Sequence, residues 1–475
     1  MNFTNDQIQS IVQRVVANIL EQGVIEEKVI KGSKNTKAGV FDDINAAIDA
    51  AHQAFLKFQE FDIQDRRRFT DAIRNMTYEY KEEFSRMTVE ETKMGRVEHK
   101  ILKHINAAKN SPGVEFLQPQ SWSGKNGQAV DEYAPFGIIG NITPSTHPGP
   151  VMINNMIIQL SAGNTIVFNQ HPSAKKLGAY IIQLANQCMV KEGAPENLVT
   201  CVENPTLETA KILFAHPNVP LLSVTGGPIM VDLAMKYPKK IIAAGPGNPP
   251  VLIDETADLS LAAKEITASA SYDNNVLCTA EKEIFIVECV FENFMAAFEK
   301  EGNVRLTQAQ MNILAERALT KDGKHYFIHP DFIGRNANIL AEALELKISE
   351  DVPMLFGETD KDHPWVVAEQ MTSCIPVVRV KDFDEGLVAA LKAEHGFLHS
   401  ASIFTKDMNR ATLFAKRFAG DVTVINGGTW RGNGSDLGEG YFSHTIAAAT
   451  GEGICTPLDF CRKRRIMVTG ALRYV

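Results

Sequence analysis

The sequence predicts an α/β architecture: a doubly wound, Rossmann-like nucleotide-binding domain, a second α/β catalytic domain and a small oligomerisation arm. Three observations predict it. From Phe136 onward, short apolar strands alternate with helical segments. Those strands are apolar throughout rather than alternating with polar residues, as parallel strands covered on both faces are. A second strand and helix series runs from Val251 through Val424-Ile425-Asn426, after the break Gly245-Pro246-Gly247-Asn248-Pro249-Pro250.

Taken in order, the chain opens with apolar residues at Ile8, Ile11, Val12, Val15, Val16, Ile19 and Leu20, the spacing of one helix face. Thr4 and Gln7 form a capping box and Gly23 supplies a stop. So short a helix cannot bury its stripe alone, and it needs either its own body or another protein's groove. Lysines at 28, 31, 34 and 37, beside Gly32 and Ser33, make residues 23–39 a flexible tether. Residues 41–108 read as successive helices, with Ala46, Ala47, Ala50, Ala51 and Phe55 lining one face of the first. A hairpin arm follows at about 117–135, with Gln128–Ala134 as one strand, and such an excursion suits a subunit contact. Parallel strands are then expected at 137–140, 165–168, 198–202, 221–225 and 240–243. The division predicted is 1–22 amphipathic helix, 23–39 linker, 40–246 nucleotide-binding domain, 247–440 catalytic domain and 441–475 oligomerisation segment. The hairpin and the Ile466-Met467-Val468 strand point to a homo-oligomer, a dimer or tetramer.

Composition removes several function classes. A net charge of −9 argues against a nucleic-acid binder, and the local cluster Arg462-Lys463-Arg464-Arg465 reads as a solvated face or subunit contact. Seven cysteines without a C-x-x-C pair give neither a disulfide framework nor a zinc spacing, so no metal is expected and a reducing cytoplasm fits. No apolar run of eighteen or more residues suits a membrane span, and no signal-peptide h-region follows a basic start, so neither export nor membrane insertion is expected.

The chemistry centres on Cys278, in the run Ala270-Ser271-Tyr272-Asp273-Asn274-Asn275-Val276-Leu277-Cys278-Thr279-Ala280. A thiol is the best side-chain nucleophile near neutral pH and can hold an aldehyde as a thiohemiacetal. The plain alternative is an inert core cysteine. The G-x-G-x-x-G fingerprint is missing, but Gly226-Gly227-Pro228 closes a strand and opens a helix, where backbone N–H groups can approach a phosphate.

These segments, with Ile142-Thr143-Pro144-Ser145-Thr146-His147-Pro148, Asn164-Thr165-Ile166-Val167-Phe168-Asn169-Gln170-His171-Pro172 and Thr450-Gly451-Glu452-Gly453-Ile454-Cys455-Thr456-Pro457, occur in one order from about residue 40 to the end. In that order the chain resembles the coenzyme-A-acylating aldehyde dehydrogenases, in particular the propionaldehyde dehydrogenases of bacterial microcompartments. The resemblance implies the aldehyde dehydrogenase fold, NAD as hydride acceptor, coenzyme A as co-substrate and a short-chain aldehyde as substrate, propionaldehyde ahead of acetaldehyde. It makes Cys278 the nucleophile and places Thr143, Pro144, His171, Thr225, Gly226, Gly227 and Gly245 along the cofactor channel. Glu369 would hold the nicotinamide ribose, although the Pro-Val spacing after it is altered to Ser373-Cys374-Ile375-Pro376-Val377. It also implies that residues 1–22 dock the enzyme to a microcompartment shell or to co-packaged enzymes.

Two departures from the family pattern carry information. Hydrolytic relatives place a glutamate where this chain has Ala243 or Ala244, so no acid is expected near Cys278 to recruit solvent. Water ionises near pH 16 and a thiol near 8.5, so attack by water needs a base far more than attack by coenzyme A does. Acylating relatives show Thr-Asn-Pro where this chain has Thr146-His147-Pro148, which leaves neutral or protonated His147, beside the Cys278 backbone N–H, to hold the oxyanion. The competing readings are a hydrolytic dehydrogenase and a catalytically silent protein on the same scaffold.

Overall fold

A computed structural model describes residues 38–322 and 325–472. The expected helix over 1–22 and most of the tether lie outside the described residues. Two parallel sheets organise the rest. The first has six strands, in the order Val40–Phe41, Val199–Val202, Thr165–Asn169, Ile138–Ile142, Leu221–Thr225 and Lys240–Ala244, every neighbouring pair parallel. Alternate residues serve opposite faces. Ile166 and Phe168 pack with the helices Ile63–Thr92, Pro148–Ser161 and Lys175–Lys191, whereas Val167 packs with Ile44–Phe58 and Leu207–Ala215. Burial on both faces accounts for the continuous apolar strands.

The first helix, Ile44–Phe58, buries a stripe that meets the expected one only at Ala47 and Ala51. Ile44, Ala47, Ile48, Ala51, Ala54 and Phe58 face the core, while Ala46, Ala50 and Phe55 are only half-buried. The branched Ile44 and Ile48 bury more apolar surface than Ala46 and Ala50 and fix the helix rotation.

The second sheet has seven parallel strands, ordered Val304–Leu306, Leu355–Thr359, Cys374–Val380, Glu283–Val287, Pro250–Ile253, Ser400–Phe404 and Val422–Ile425. Val251 and Ile253 pack under the helices Leu259–Ala270 and Phe291–Lys300, and Leu252 packs under Phe383–Ala393. Gly245–Pro249 joins the two sheets, so the carboxyl edge of the first opens onto the loops that enter the second.

The arm is a three-stranded antiparallel sheet of Gln120–Gly124, Gly127–Pro135 and Cys461–Thr469. Its basic cluster answers an acidic strand. Arg465 grips Asp131 with two bonds of 2.6 and 2.8 Å, Arg464 bonds Glu132, and Arg462 lies over the Phe136 ring. Ile466, Met467 and Val468 remain exposed. Among the described residues, no helix is long and apolar enough to cross a membrane.

Candidate functional site

Cys278 lies in the loop between the turn Tyr272–Asn275 and the strand Glu283–Val287. The residue is partly open, but the surroundings of its sulfur are dense. Burial pushes the thiol up to about 11, Glu369 adds to that rise, and Lys282 and Lys103 oppose it. Cys201 and Cys461, in contrast, are buried core thiols raised to about 12. Burial of this strength works against fast alkylation at neutrality.

The turn that presents Cys278 is unusual. Asp273, Asn274 and Asn275 take φ of 54°, 56° and 66° in succession, a left-handed run that only glycine, asparagine and aspartate enter readily. Side-chain bonds hold it: Asn274 Nδ2 donates to the Gly334 carbonyl, and Asn275 Nδ2 donates to the carbonyls of Ala270 and Glu281. Beneath it, Lys100 Nζ and Lys103 Nζ meet at Asp273 Oδ2, at 2.7 and 2.5 Å, with all three side chains buried. Lys103 also donates to the Val276 carbonyl and Lys100 to that of Thr146, 2.9 and 2.6 Å away. Asp273 therefore ties the nucleophile loop to the loop that carries Thr146 and His147.

His147 caps the helix Pro148–Ser161, all of whose residues are buried. Its Nδ1 lies 2.9 Å from Thr146 Oγ1, and its ring stands 5.7 Å from that of His444. Burial, with Lys103, His444 and Lys100 adding to it, holds the imidazole well below its ordinary range. Of the two forms considered for the oxyanion donor, the protonated one is disfavoured in the free enzyme, because a third cation beside two ammonium groups is opposed by both charge and burial.

The residues expected along the cofactor channel follow the carboxyl ends of neighbouring strands. Thr143 and Pro144 follow Ile138–Ile142, His171 follows Thr165–Asn169, Thr225–Gly227 close Leu221–Thr225, and Gly245 follows Lys240–Ala244. The strand order reverses between Ile138–Ile142 and Leu221–Thr225, the switch point at which open α/β sheets bind nucleotides. There, Thr143 Oγ1 and Thr225 Oγ1 are buried without a protein partner. Nothing lies within 4 Å of where a Gly227 side chain would begin. Two unspent hydroxyls beside open backbone fit a polar, phosphate-bearing cofactor. His171 is exposed at the rim, where its Nδ1 accepts from Ser173 N–H.

Ala243 and Ala244 are buried at the end of their strand, with no carboxylate at that position. Cys278 nonetheless has an acid neighbour. Glu369 accepts from Gly247 N–H at 3.4 Å and acts electrostatically on both Cys278 and Lys282. The expectation of an acid-free thiol therefore holds only for the alanine pair. Burial raises the Glu369 carboxyl, with Lys282, Gly247 N–H and His399 opposing.

Sequence reasoning missed His399, Lys100, Lys103, Asp273 and Lys282. His399 is buried with Nε2 unpartnered. A Cβ on Gly247 would fall 2.6 Å from the Cys278 carbonyl oxygen and 3.1 Å from His399 Cγ, so only glycine lets these segments meet. A local signal for the lysines was Lys100, Lys103, His104 and Ala107 on a single buried face of Val97–Asn110. Among the described residues no group of His, Cys, Asp and Glu is arranged to hold a metal ion.

Comparison with known proteins places these features in a family context. The aldehyde dehydrogenase family model matches residues 26–438. The acetaldehyde dehydrogenase (acetylating) EutE of Salmonella typhimurium is 38% identical over 471 residues, covering 98% of this chain and 100% of that protein. The propionaldehyde dehydrogenase of Rhodopseudomonas palustris, solved with bound CoA and an acylated cysteine, is 37% identical with a TM-score of 0.89, covering 92% of this chain and 99% of that one. A propionaldehyde dehydrogenase from the fucose utilisation microcompartment of Clostridium phytofermentans is 38% identical, also with a TM-score of 0.89, over 92% and 100% of the two chains.

Proposed function

The chain belongs to the aldehyde dehydrogenase family, and on that premise we propose that it oxidises a short-chain aldehyde, propionaldehyde ahead of acetaldehyde, with NAD and coenzyme A to acyl-CoA and NADH. The observation that carries this reading is the Cys278 thiol in densely packed surroundings, together with a strand end that bears Ala243 and Ala244 in place of a carboxylate. Support comes from the similar enzymes, which include an acetylating dehydrogenase and one with an acylated cysteine and bound CoA.

The protein's part in each step follows from its groups. Cys278 gives up its proton to solvent as its sulfur bonds the aldehyde carbon, and the carbonyl oxygen becomes an alkoxide, held by the Cys278 N–H and neutral His147 with Thr146 beside it. Collapse of the alkoxide expels hydride and leaves an acyl thioester on Cys278. When bound, the nicotinamide accepts that hydride and coenzyme A supplies the thiol that takes the acyl group. Thr143, Pro144, His171, Thr225, Gly226, Gly227 and Gly245 would hold these cofactors in turn, with Glu369 on the ribose. Because a second thiol displaces Cys278, thioester for thioester, no strong base is required. We assign cofactor binding to residues 40–246, the nucleophile to 247–440 and subunit contacts of a dimer or tetramer to the arm and 441–475.

The test is product analysis with propanal and NAD. With CoA present, propionyl-CoA and NADH are expected in equal amounts, with the parallel initial-rate lines of a ping-pong sequence. Free propionate in place of the thioester would establish the hydrolytic reading, and no NADH at all the silent one.

Microcompartment residence belongs to the same proposal, supported by the relative from the fucose utilisation microcompartment. Residues 1–22 would dock to the shell or to co-packaged enzymes inside the cytoplasmic organelle. Deleting them is expected to leave turnover within about twofold of the parent while abolishing co-sedimentation with shells. Loss of turnover would instead make the segment part of the folded body.

A further inference from the structure

Three consecutive carbonyls precede Cys278, and all three are gripped by buried ammonium groups. Lys282 Nζ donates to Leu277 O at 2.8 Å, Asn275 O at 3.3 Å and Asn275 Oδ1 at 2.6 Å. Lys103 Nζ donates to Val276 O at 2.9 Å. Both lysines are essentially inaccessible to solvent. Lys103 and Lys100 share the single carboxylate of Asp273, and Lys282 meets no carboxylate at ion-pair distance among the described residues. Burying a charge without a counter-ion is expensive, and a neutral amide could satisfy the same carbonyls more cheaply. The positive charge therefore calls for a purpose beyond holding the loop.

We propose that Lys282 and Lys103 are positioning residues that make the Cys278 loop a receptor for the anion formed there, first as thiolate and then as oxyanion. The proposal rests on Cys278 being the nucleophile. The Leu277 carbonyl and the Cys278 N–H are opposite ends of one peptide group. An ammonium bonded to its oxygen draws electrons toward that end and leaves the N–H a stronger donor to the alkoxide. Lys103 does the same to the preceding peptide. Lys282, which meets no carboxylate, and Lys103, which shares that of Asp273 with Lys100, gain a further anion when Cys278 ionises.

The other titratable groups fit this picture. On the Lys282 side stand Glu369, Glu281, Glu283 and His399. Burial raises the three carboxyls toward their neutral forms and lowers the imidazole. On the Lys103 side stand Asp273, Lys100, Tyr272, His99, His104, His147 and His444, and the four imidazoles are depressed, chiefly by burial. Burial holds each of the two lysines at about 8, so both are largely ammonium at neutrality.

The test is alkylation of Cys278 by iodoacetamide, read by mass spectrometry of the peptide that contains it. At about pH 7, Lys282→Met and Lys103→Met should each slow alkylation roughly tenfold, the effect of one unit in the thiol's acidity. Melting temperature shows whether each variant is folded. Parent-like alkylation in a folded Lys282→Met or Lys103→Met protein overturns the proposal. The parent protein gives an independent measurement should neither variant fold. Its alkylation rate should climb tenfold per pH unit below about 8 and then flatten as the ammonium groups lose their protons. A slope of one maintained to about pH 10 overturns the proposal as well. Alkylation needs neither aldehyde nor coenzyme A. A protein that alkylates as described yet makes no acyl-CoA would overturn the assigned reaction and leave this inference standing.

Discussion

Replacing Cys278 by alanine is expected to reduce acyl-CoA formation from propanal, NAD and CoA by at least about 10³-fold, to the background of the assay. The size of the effect follows from what remains. Without the sulfur no covalent intermediate forms, so hydride would have to leave an aldehyde hydrate, and the Ala243–Ala244 strand end offers no base to make one. No other cysteine can substitute, because Cys201, Cys374, Cys455 and Cys461 are buried, Cys188 is partly buried on the helix Lys175–Lys191 and Cys289 is exposed on a separate turn. The fold should survive, since the change deletes one atom from a partly open residue whose loop is held by Lys282, Lys103 and Asn275 rather than by the thiol. Melting temperature and NADH binding, followed by nicotinamide fluorescence, should match the parent. Acyl-CoA formation at the parent rate would remove the thioester from the mechanism.

What was legible in the sequence is what depends on neighbours along the chain. The apolar runs at 138–142, 165–169 and 221–225 are long enough to declare parallel strands, and Gly226-Gly227 after the last of them marks a turn where backbone can approach a ligand. Cys278 stood out because its whole run, not the cysteine alone, carries the pattern. What was not legible depends on contacts across great sequence distance. Lys103 lies 170 positions from Asp273, and a lysine reads by default as a solvated surface group. Glu369 likewise gives no sign that it faces Cys278. The helix Ile44–Phe58 shows a milder version of the same limit. Its alanine-rich stripe and its isoleucine stripe both have helical spacing, and only the mass of the opposing sheet decides which one turns inward. The run Asp273-Asn274-Asn275 did contain an unread signal, because three residues tolerant of positive φ in succession mark a left-handed turn.

Asp273→Ala is expected to destabilise the protein by about 3–5 kcal/mol, the largest stability change foreseen for a single substitution here. Two contributions act in the same direction. Lys100 and Lys103 would lose their shared carboxylate while both side chains stay buried, which leaves two unbalanced ammonium groups in the interior. Alanine would also have to hold φ near 54° without the polar side chain that makes this conformation tolerable, at about 1–2 kcal/mol. Asp273→Asn separates the two, because an amide oxygen can still accept from Arg96 N–H and asparagine tolerates the turn. Its deficit should be the electrostatic part alone, and Lys100→Met in the same protein should recover some of it, giving a coupling energy in a double-mutant cycle. The pH dependence fixes the sign independently. Burial by itself would raise the Asp273 carboxyl, but Lys100 and Lys103 outweigh it and hold the group below the ordinary aspartate range. A carboxyl depressed in the folded state stabilises above its unfolded pKa and loses that contribution as pH falls toward the folded value. The stability gap between parent and Asp273→Asn, measured by urea denaturation, should therefore be constant near neutrality and narrow below about pH 4. A gap that is absent at neutrality, or that widens in acid, would mean that the carboxylate does not balance the two lysines.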